Sequence, residues 1–218
     1  MKQRIPETNE GIQGEFDVRL FNEFQKSIRD RGWIETPQII ASGITKGHAL
    51  EVGPGPGYLG LEWLKKTSGT QLTGLEISAN MISVAQKNAH EYGFDAQRVR
   101  YVQGNAMAMP FESSRFDAAF SNGSLHEWER PGDVLSEIAR VLKPGGRFFI
   151  SDLRRDSGLL VRWFLSASTI KVMRAGLKTS LQAAYTKEEL ERIVEATPLR
   201  GAHVNAHRIG LSVSGCLL

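Results

Sequence analysis

Residues 47–60 read Gly-His-Ala-Leu-Glu-Val-Gly-Pro-Gly-Pro-Gly-Tyr-Leu-Gly, and no other stretch narrows the possible folds as far. Ala49, Leu50 and Val52 form a short apolar run that suits a buried strand. Gly53, Gly55 and Gly57 follow, separated by Pro54 and Pro56, and Leu59, Leu61, Trp63 and Leu64 then recur at helical spacing. The order is strand, glycine-rich turn, helix. Glycine admits the positive φ of a tight turn and lets a ligand approach the backbone, while proline fixes φ and stiffens the turn. The helix aims its partly positive N-terminus at whatever lies over the turn. Residues 55–60 also spell Gly-x-Gly-x-x-Gly, the dinucleotide fingerprint. Glu51, two residues before the first glycine, argues against that ligand, because it would repel a pyrophosphate but attract an ammonium or sulfonium.

Glu51-Val-Gly-Pro-Gly-Pro-Gly57 resembles the first motif of the class I S-adenosylmethionine-dependent methyltransferases, and further matches extend the resemblance over about half the chain. It implies an α/β fold: a doubly wound, mostly parallel sheet of seven strands, one of them antiparallel, with S-adenosyl-L-methionine as cofactor. Glu51 would lie near the amino group of the cofactor's methionine part, which crosses the strand tip over Gly53, Gly55 and Gly57, beside Tyr58. Glu76 ends a second predicted strand, Gln71 to Glu76, and offers two acceptor oxygens to vicinal ribose hydroxyls. Ile77 and Met81 would touch a flat base. Gly104 to Phe111 resembles the family's Gly-Asp-Ala-x-x-x-Pro-Phe segment, whose acid bonds the adenine amine. Asn105 replaces that acid here; its amide oxygen still accepts, without the charge. Ala106 and Met107 would adjoin the base.

The remaining predicted strands are Val99 to Gln103, Phe116 to Ser121, Arg147 to Ser151, and a closing antiparallel pair, Gly201 to Ala206 and Leu211 to Leu217. Phe16, Leu20, Phe21, Phe24 and Ile28 predict an amphipathic helix. They are either plain core or, as the resemblance implies, part of a segment folded over the cofactor, with Asn22, Trp33 and Tyr58 lining the pocket. Thr36 is expected to cap a short helix with Pro37 at its first position, Ser78 to cap Ala79 to Tyr92 with Gly93 after it, and Thr186 with Glu189 to form a capping box. Pro131 to Leu142 is a further helix, which Lys143-Pro-Gly-Gly146 breaks. One domain is expected: residues 1–45 a helical segment covering the site, 46–218 the methyltransferase domain, and 156–180 a helical insertion or lid. Residues 159–177 fit a lid with a basic rim, a membrane-surface contact or an ordinary packed helix.

Ser121 ends the fourth strand and Asn122 opens the loop to Trp128, next to the expected reversal of winding; both are expected to adjoin the cofactor, and the loop would face the transferable methyl. It lacks the Asn- or Asp-Pro-Pro-aromatic motif of nucleic-acid amino-methyltransferases. Leu125-His126-Glu127-Trp128 looks more like the small-molecule branch, so a small-molecule substrate and no nucleic acid are expected, and a net charge of +3 is too mild to argue otherwise. Displacement at a sulfonium methyl needs no covalent nucleophile; it needs positioning and, for a protonated acceptor, a base. His126 is the candidate catalytic base, or else shapes the pocket, with Glu127 as a possible orienter. A non-catalytic S-adenosylmethionine-binding protein and an NAD(P)-dependent oxidoreductase are the alternatives. No metal is expected, since His203 and His207 lack a third ligand at metal spacing. A single cysteine, Cys216, fits a reducing compartment. The first ten residues lack the apolar core of a signal peptide and no run is long enough to span a bilayer, so a cytoplasmic protein is expected. The sequence leaves oligomeric state open.

Overall fold

Alternate residues of the first strand, β1 (His48–Val52), serve two different cores. Ala49 packs with Ile39, Ile44, Leu61, Trp63 and Leu72 on one side of the sheet, and Leu50 with Phe116, Ala119, Leu135 and Ile138 on the other. Successive side chains of a strand point to opposite faces, so a strand apolar on both must lie between two layers of helices. The structure, a computed structural model, describes residues 4–6 and 14–217, and of Glu15 and Phe16 the backbone alone. Most of the predicted polar lead-in and the Phe16 side chain lie outside the described residues.

The other strands are β2 (Gln71–Glu76), β3 (Val99–Gln103), β4 (Phe116–Asn122), β5 (Leu142–Leu153), β6 (His203–Ala206) and β7 (Gly210–Cys216). They form one sheet in the order β3-β2-β1-β4-β5-β7-β6. β1 pairs in parallel with both β2 and β4, so the winding reverses between β1 and β4. β7 runs against β5 and β6. The mostly parallel seven-stranded sheet expected from the sequence is present, with its one reversed strand.

The helices are α1 (Glu15–Asp30), α2 (Thr36–Ala41), α3 (Tyr58–Lys66), α4 (Ala79–Glu91), α5 (Pro131–Val141), α6 (Leu159–Ser168), α7 (Arg174–Ala183) and α8 (Lys187–Glu195). Ser78 caps α4 by accepting the Met81 N–H at 3.2 Å, and Thr186 with Glu189 forms the expected capping box on α8. Trp63 is fully buried and satisfies its indole N–H on the Ile44 carbonyl at 2.8 Å, so its large apolar surface enters the core without an orphaned donor.

Two local expectations change. Thr36 is not the cap of α2 but its first residue; its buried hydroxyl points to the Leu59 carbonyl, and Glu35 occupies the cap position. The Pro-Gly-Gly stretch does not separate helix from strand. α5 passes directly into β5 at Leu142, and the Gly145 and Gly146 backbones pair with Leu217 beyond β7. The extra residues are absorbed as a register shift, Phe116 opposing Leu142 and Ala118 opposing Arg147.

Candidate active site

The C-terminal tips of β1, β2, β4 and β5 converge where the winding reverses, the usual ligand side of such a sheet. The turn after β1 is built from positive-φ glycines: Gly53 at 67°, Gly55 at 53° and Gly57 at 86°. A Cβ on Gly53 would meet the Ser124 side chain at 2.8 Å, and one on Gly57 would collide with the Tyr101 hydroxyl. The α1 helix lies over this turn. Asn88 donates to both the Asn22 side chain (2.9 Å) and the Pro56 carbonyl (2.8 Å), and a Cβ on Gly55 would touch Phe21 at 3.4 Å. Arg29 stacks 4.7 Å from the Tyr58 ring and donates to the Tyr92 hydroxyl, which donates to Glu62.

Glu51 is buried beneath the turn at 1 % exposure, and its Oε2 has no hydrogen-bond partner among the described residues. Burial pushes its carboxyl up to about 8; the Gly60 amide opposes the rise and the Glu76 charge adds to it. A Cβ on Gly60 would overlap the Glu51 carboxylate, so glycine makes room for it. The Tyr101 hydroxyl is a second buried group without a partner, raised by burial and then by the Glu51 charge. Two unsatisfied polar groups beneath one glycine turn are costly unless a ligand or water completes them.

Glu76, at the tip of β2, is held by backbone donors. Its Oε2 accepts from Gly55 at 3.1 Å, and its Oε1 accepts from Ile77 at 2.9 Å and Ser78 at 3.0 Å. Burial raises its carboxyl while these amides pull it down. Oε2 therefore retains acceptor capacity after Gly55 is counted. Glu51 and Glu76 lie on either side of the glycine turn, close enough to interact electrostatically.

The other sequence-selected residues fall into three groups. Ile77 is exposed at the tip, whereas Met81 is packed inside α4 at 2 % exposure. Asn105 is exposed, and its Oδ1 accepts the Met107 N–H at 2.8 Å, closing its own turn beside Ala106. Ser121 is fully buried, its hydroxyl donating to the Val52 carbonyl at 2.7 Å and shared with Ser124, so it ties β4 to β1 instead of facing the cleft. Asn122 is exposed and donates to Ser151 Oγ at 2.9 Å.

His126 is buried in a short 3-10 turn, Leu125–Glu127. Its partner is Asp152, not Glu127: the backbone N–H and ring Nδ1 both reach the Asp152 carboxylate. Nδ1 faces an acceptor-only carboxylate and is placed to donate to it. Arg4 donates to the His126 carbonyl at 2.9 Å.

Three residues enter the site without having been selected from the sequence. Asp152 follows the predicted strand Arg147 to Ser151, and nothing local in the sequence ties it to His126. Tyr101 looked like any aromatic strand residue. Glu35 lies near Ser151 and Asn122, within reach of the charges of Asp152 and His207, and burial raises its carboxyl above the usual range. The local signal for it is an acid directly before Thr36-Pro37, at the cap of α2. A groove of about 670 Å³ lies elsewhere, between the start of α5 and the length of α8, bounded by Asp133, Tyr185, Glu189 and Arg192. Of the residues around the glycine turn and His126 it shares Arg4 alone.

Residues 50–150 match the model of a family described as a methyltransferase domain. Over 126 residues the chain is 29 % identical to the ubiquinone/menaquinone biosynthesis C-methyltransferase UbiE of Paracoccus denitrificans, covering 58 % of this chain and 50 % of that protein. It is 37 % identical over 110 residues to the O-methyltransferase resE of Aspergillus sclerotiorum, covering 50 % of this chain and 41 % of that protein. The chain thus spans about half the length of the curated relatives it matches. A crystal structure of a SAM-dependent methyltransferase from Aquifex aeolicus superposes with a TM-score of 0.69 at 16 % identity, covering 95 % of this chain and all of that one, which shows a shared fold.

Proposed function

We propose that the protein, whose residues 50–150 match a methyltransferase-domain family, is a class I S-adenosylmethionine-dependent methyltransferase that transfers a methyl group from S-adenosyl-L-methionine to a small-molecule acceptor by in-line displacement. When bound, that cofactor supplies an electrophilic methyl on a sulfonium. The carrying observation is the buried, unpartnered Oε2 of Glu51 under a turn without side chains. An ammonium near this carboxyl favours its ionised form and completes its hydrogen bonding.

The chain's own residues divide the work. Gly53, Gly55 and Gly57 let the methionine part cross the strand tip beside Tyr58. Glu76 receives ribose hydroxyls while the Gly55, Ile77 and Ser78 amides fix its position. Ile77 offers an exposed apolar surface to the base, and Asn105, Ala106 and Met107 frame its edge. Met81, which is buried, and Ser121, which is bonded internally, are read as supporting residues. The α1 helix closes over the turn, and 156–180 is read as an insertion at the same end of the sheet.

On the acceptor side, Asn122, Ser151, Glu35, Asp152 and His126 form one polar cluster across the tips of β4 and β5. His126 takes a proton from the acceptor on Nε2, with Asp152 holding the ring by Nδ1. Relatives named a ubiquinone/menaquinone biosynthesis C-methyltransferase and an O-methyltransferase support a small organic acceptor. No nucleic-acid partner is part of this reading, and the location proposed is cytoplasmic. Among the described residues no helix is long and apolar enough to cross a membrane.

The test is formation of S-adenosylhomocysteine over a panel of phenols, catechols, quinols and small amines, with His126→Ala as control. Turnover on at least one acceptor, reduced at least about tenfold by the substitution, supports the reading. Homocysteine-cofactor binding with no turnover on any acceptor or in cell extract would favour a non-catalytic binding protein.

A further inference from the structure

The α6 helix carries its apolar stripe on the outside. Leu160, Trp163, Phe164 and Ala167 recur at i, i+3, i+4 and i+7, the spacing of a single helix face. On a surface helix that face normally packs on the core. Here Leu160 is 84 % exposed, Trp163 70 % and Phe164 44 %, and no residue of the helix is buried. The patch extends past the helix. The Trp33 ring lies 6.0 Å from that of Phe164, and exposed Ile170 and Val172 follow.

An exposed apolar patch marks a contact but does not name the partner. The charge pattern does. From Ser157 to Thr186 there is no Asp or Glu, while Arg162, Lys171, Arg174 and Lys178 all fall within it. These four charges exceed the +3 of the whole chain, so everything outside the segment is net negative by one. Arg31 joins from the loop after α1, its guanidinium 5.1 Å from the Trp33 ring and donating to the Ser168 carbonyl at 3.2 Å. A symmetric contact between two copies would bring these cations together and be repelled.

We propose that α6 and the turn after it dock on an anionic lipid bilayer. Leu159, Leu160, Trp163 and Phe164 enter the headgroup boundary, and Lys171, Arg174 and Lys178 meet the lipid phosphates. Tryptophan at this depth suits a bilayer interface, where one edge of the ring is apolar and the other wet. The assignment is independent of the reaction the domain catalyses.

Intrinsic fluorescence reads this surface directly. Trp33 and Trp163 are exposed and both lie in the patch, whereas Trp63 and Trp128 are buried. The full chain is mixed with vesicles of phosphatidylcholine alone or with added phosphatidylglycerol, and co-sedimentation and emission are recorded. The expected result is a blue shift and co-sedimentation with phosphatidylglycerol vesicles, weakened at least about tenfold in about 0.5 M salt. Lys171→Glu with Lys178→Glu is expected to weaken binding by at least about tenfold, and Trp163→Ser to remove most of the shift. Both variants change exposed side chains, and an unchanged thermal transition confirms their fold. Equal binding to both vesicle types, binding to neither, or a dimer that Trp163→Ser dissolves would overturn the proposal.

Discussion

Asp152 holds His126 at two points, its carboxylate oxygens lying 2.8 Å from the His126 backbone nitrogen and 2.9 Å from ring Nδ1. Both partners are buried. A single carboxylate therefore sets the position of the loop and the tautomer of its imidazole. Asp152→Ala leaves two buried donors without acceptors, and a loss of about 1–3 kcal/mol in urea unfolding is expected. Asp152→Asn preserves shape but presents a donor to Nδ1, so turnover should fall at least about tenfold with S-adenosylhomocysteine affinity little changed. Unaltered turnover in Asp152→Asn would show that His126 does not act through Nε2.

Glu51 makes stability depend on pH. Its carboxyl stands at about 8 in the fold because burial penalises the charge, against an ordinary value of 4.5. A raised folded value favours the neutral form, so the contribution is full below pH 4.5 and is lost as pH rises through about 8. The thermal midpoint of the protein is expected to fall across that window, and that of Glu51→Gln to fall less. Binding of an ammonium-bearing ligand ionises the group, so calorimetry near pH 7 in buffers of different ionisation enthalpy should report release of most of one proton. Identical midpoint profiles in the two proteins would contradict this.

Gly57 is constrained twice, by φ at 86° and by the Tyr101 hydroxyl that a Cβ would strike. Gly57→Ala is expected to cost about 2–4 kcal/mol, of which left-handed backbone strain is about 1–2 kcal/mol. Adding Tyr101→Phe removes the hydroxyl and should recover the collision share alone. A double-mutant cycle with no coupling would place the two side chains apart.

Glu35 adjoins Asn122 on β4 and Ser151 on β5, two and three strands away from Glu76 on β2. Glu35→Gln is expected to lower turnover by at least about tenfold while the S-adenosylhomocysteine dissociation constant moves by less than about threefold. Its raised folded carboxyl has the same sign as Glu51, so the substitution should relatively stabilise the protein at pH 8 over pH 5. A change in cofactor affinity with turnover intact would put Glu35 on the cofactor side.

Much of this was legible in the sequence because it rests on local chemistry. The strand, glycine turn and helix at 47–60 declare themselves through residue types that few conformations accept. The Ser78 cap and the Thr186–Glu189 box are likewise short-range. Relations that depend on two distant segments meeting were not legible. Asp152 and His126 are neighbours only because β5 lies beside β4, and Tyr101 reaches the turn only because Gly74 leaves room for its ring. The cap of α2 was misplaced by one residue: Thr-Pro suits a cap and first position, but Glu35 takes the cap and Thr36 instead reaches the Leu59 carbonyl. The outward stripe of α6 obeys helical periodicity, yet periodicity alone does not say which side is the core.

The central claim is that the cleft over the glycine turn takes a cationic, amino-acid-bearing nucleoside between Glu51 and Glu76. Calorimetric titration of the intact chain with S-adenosylmethionine and S-adenosylhomocysteine, with NADH as the competing ligand, tests it most directly. Saturable binding of about one molecule per chain, weakened at least about tenfold by Glu76→Ala and absent with NADH, is the predicted result. No heat from either sulfur ligand at millimolar concentration, or saturation by NADH instead, would contradict it.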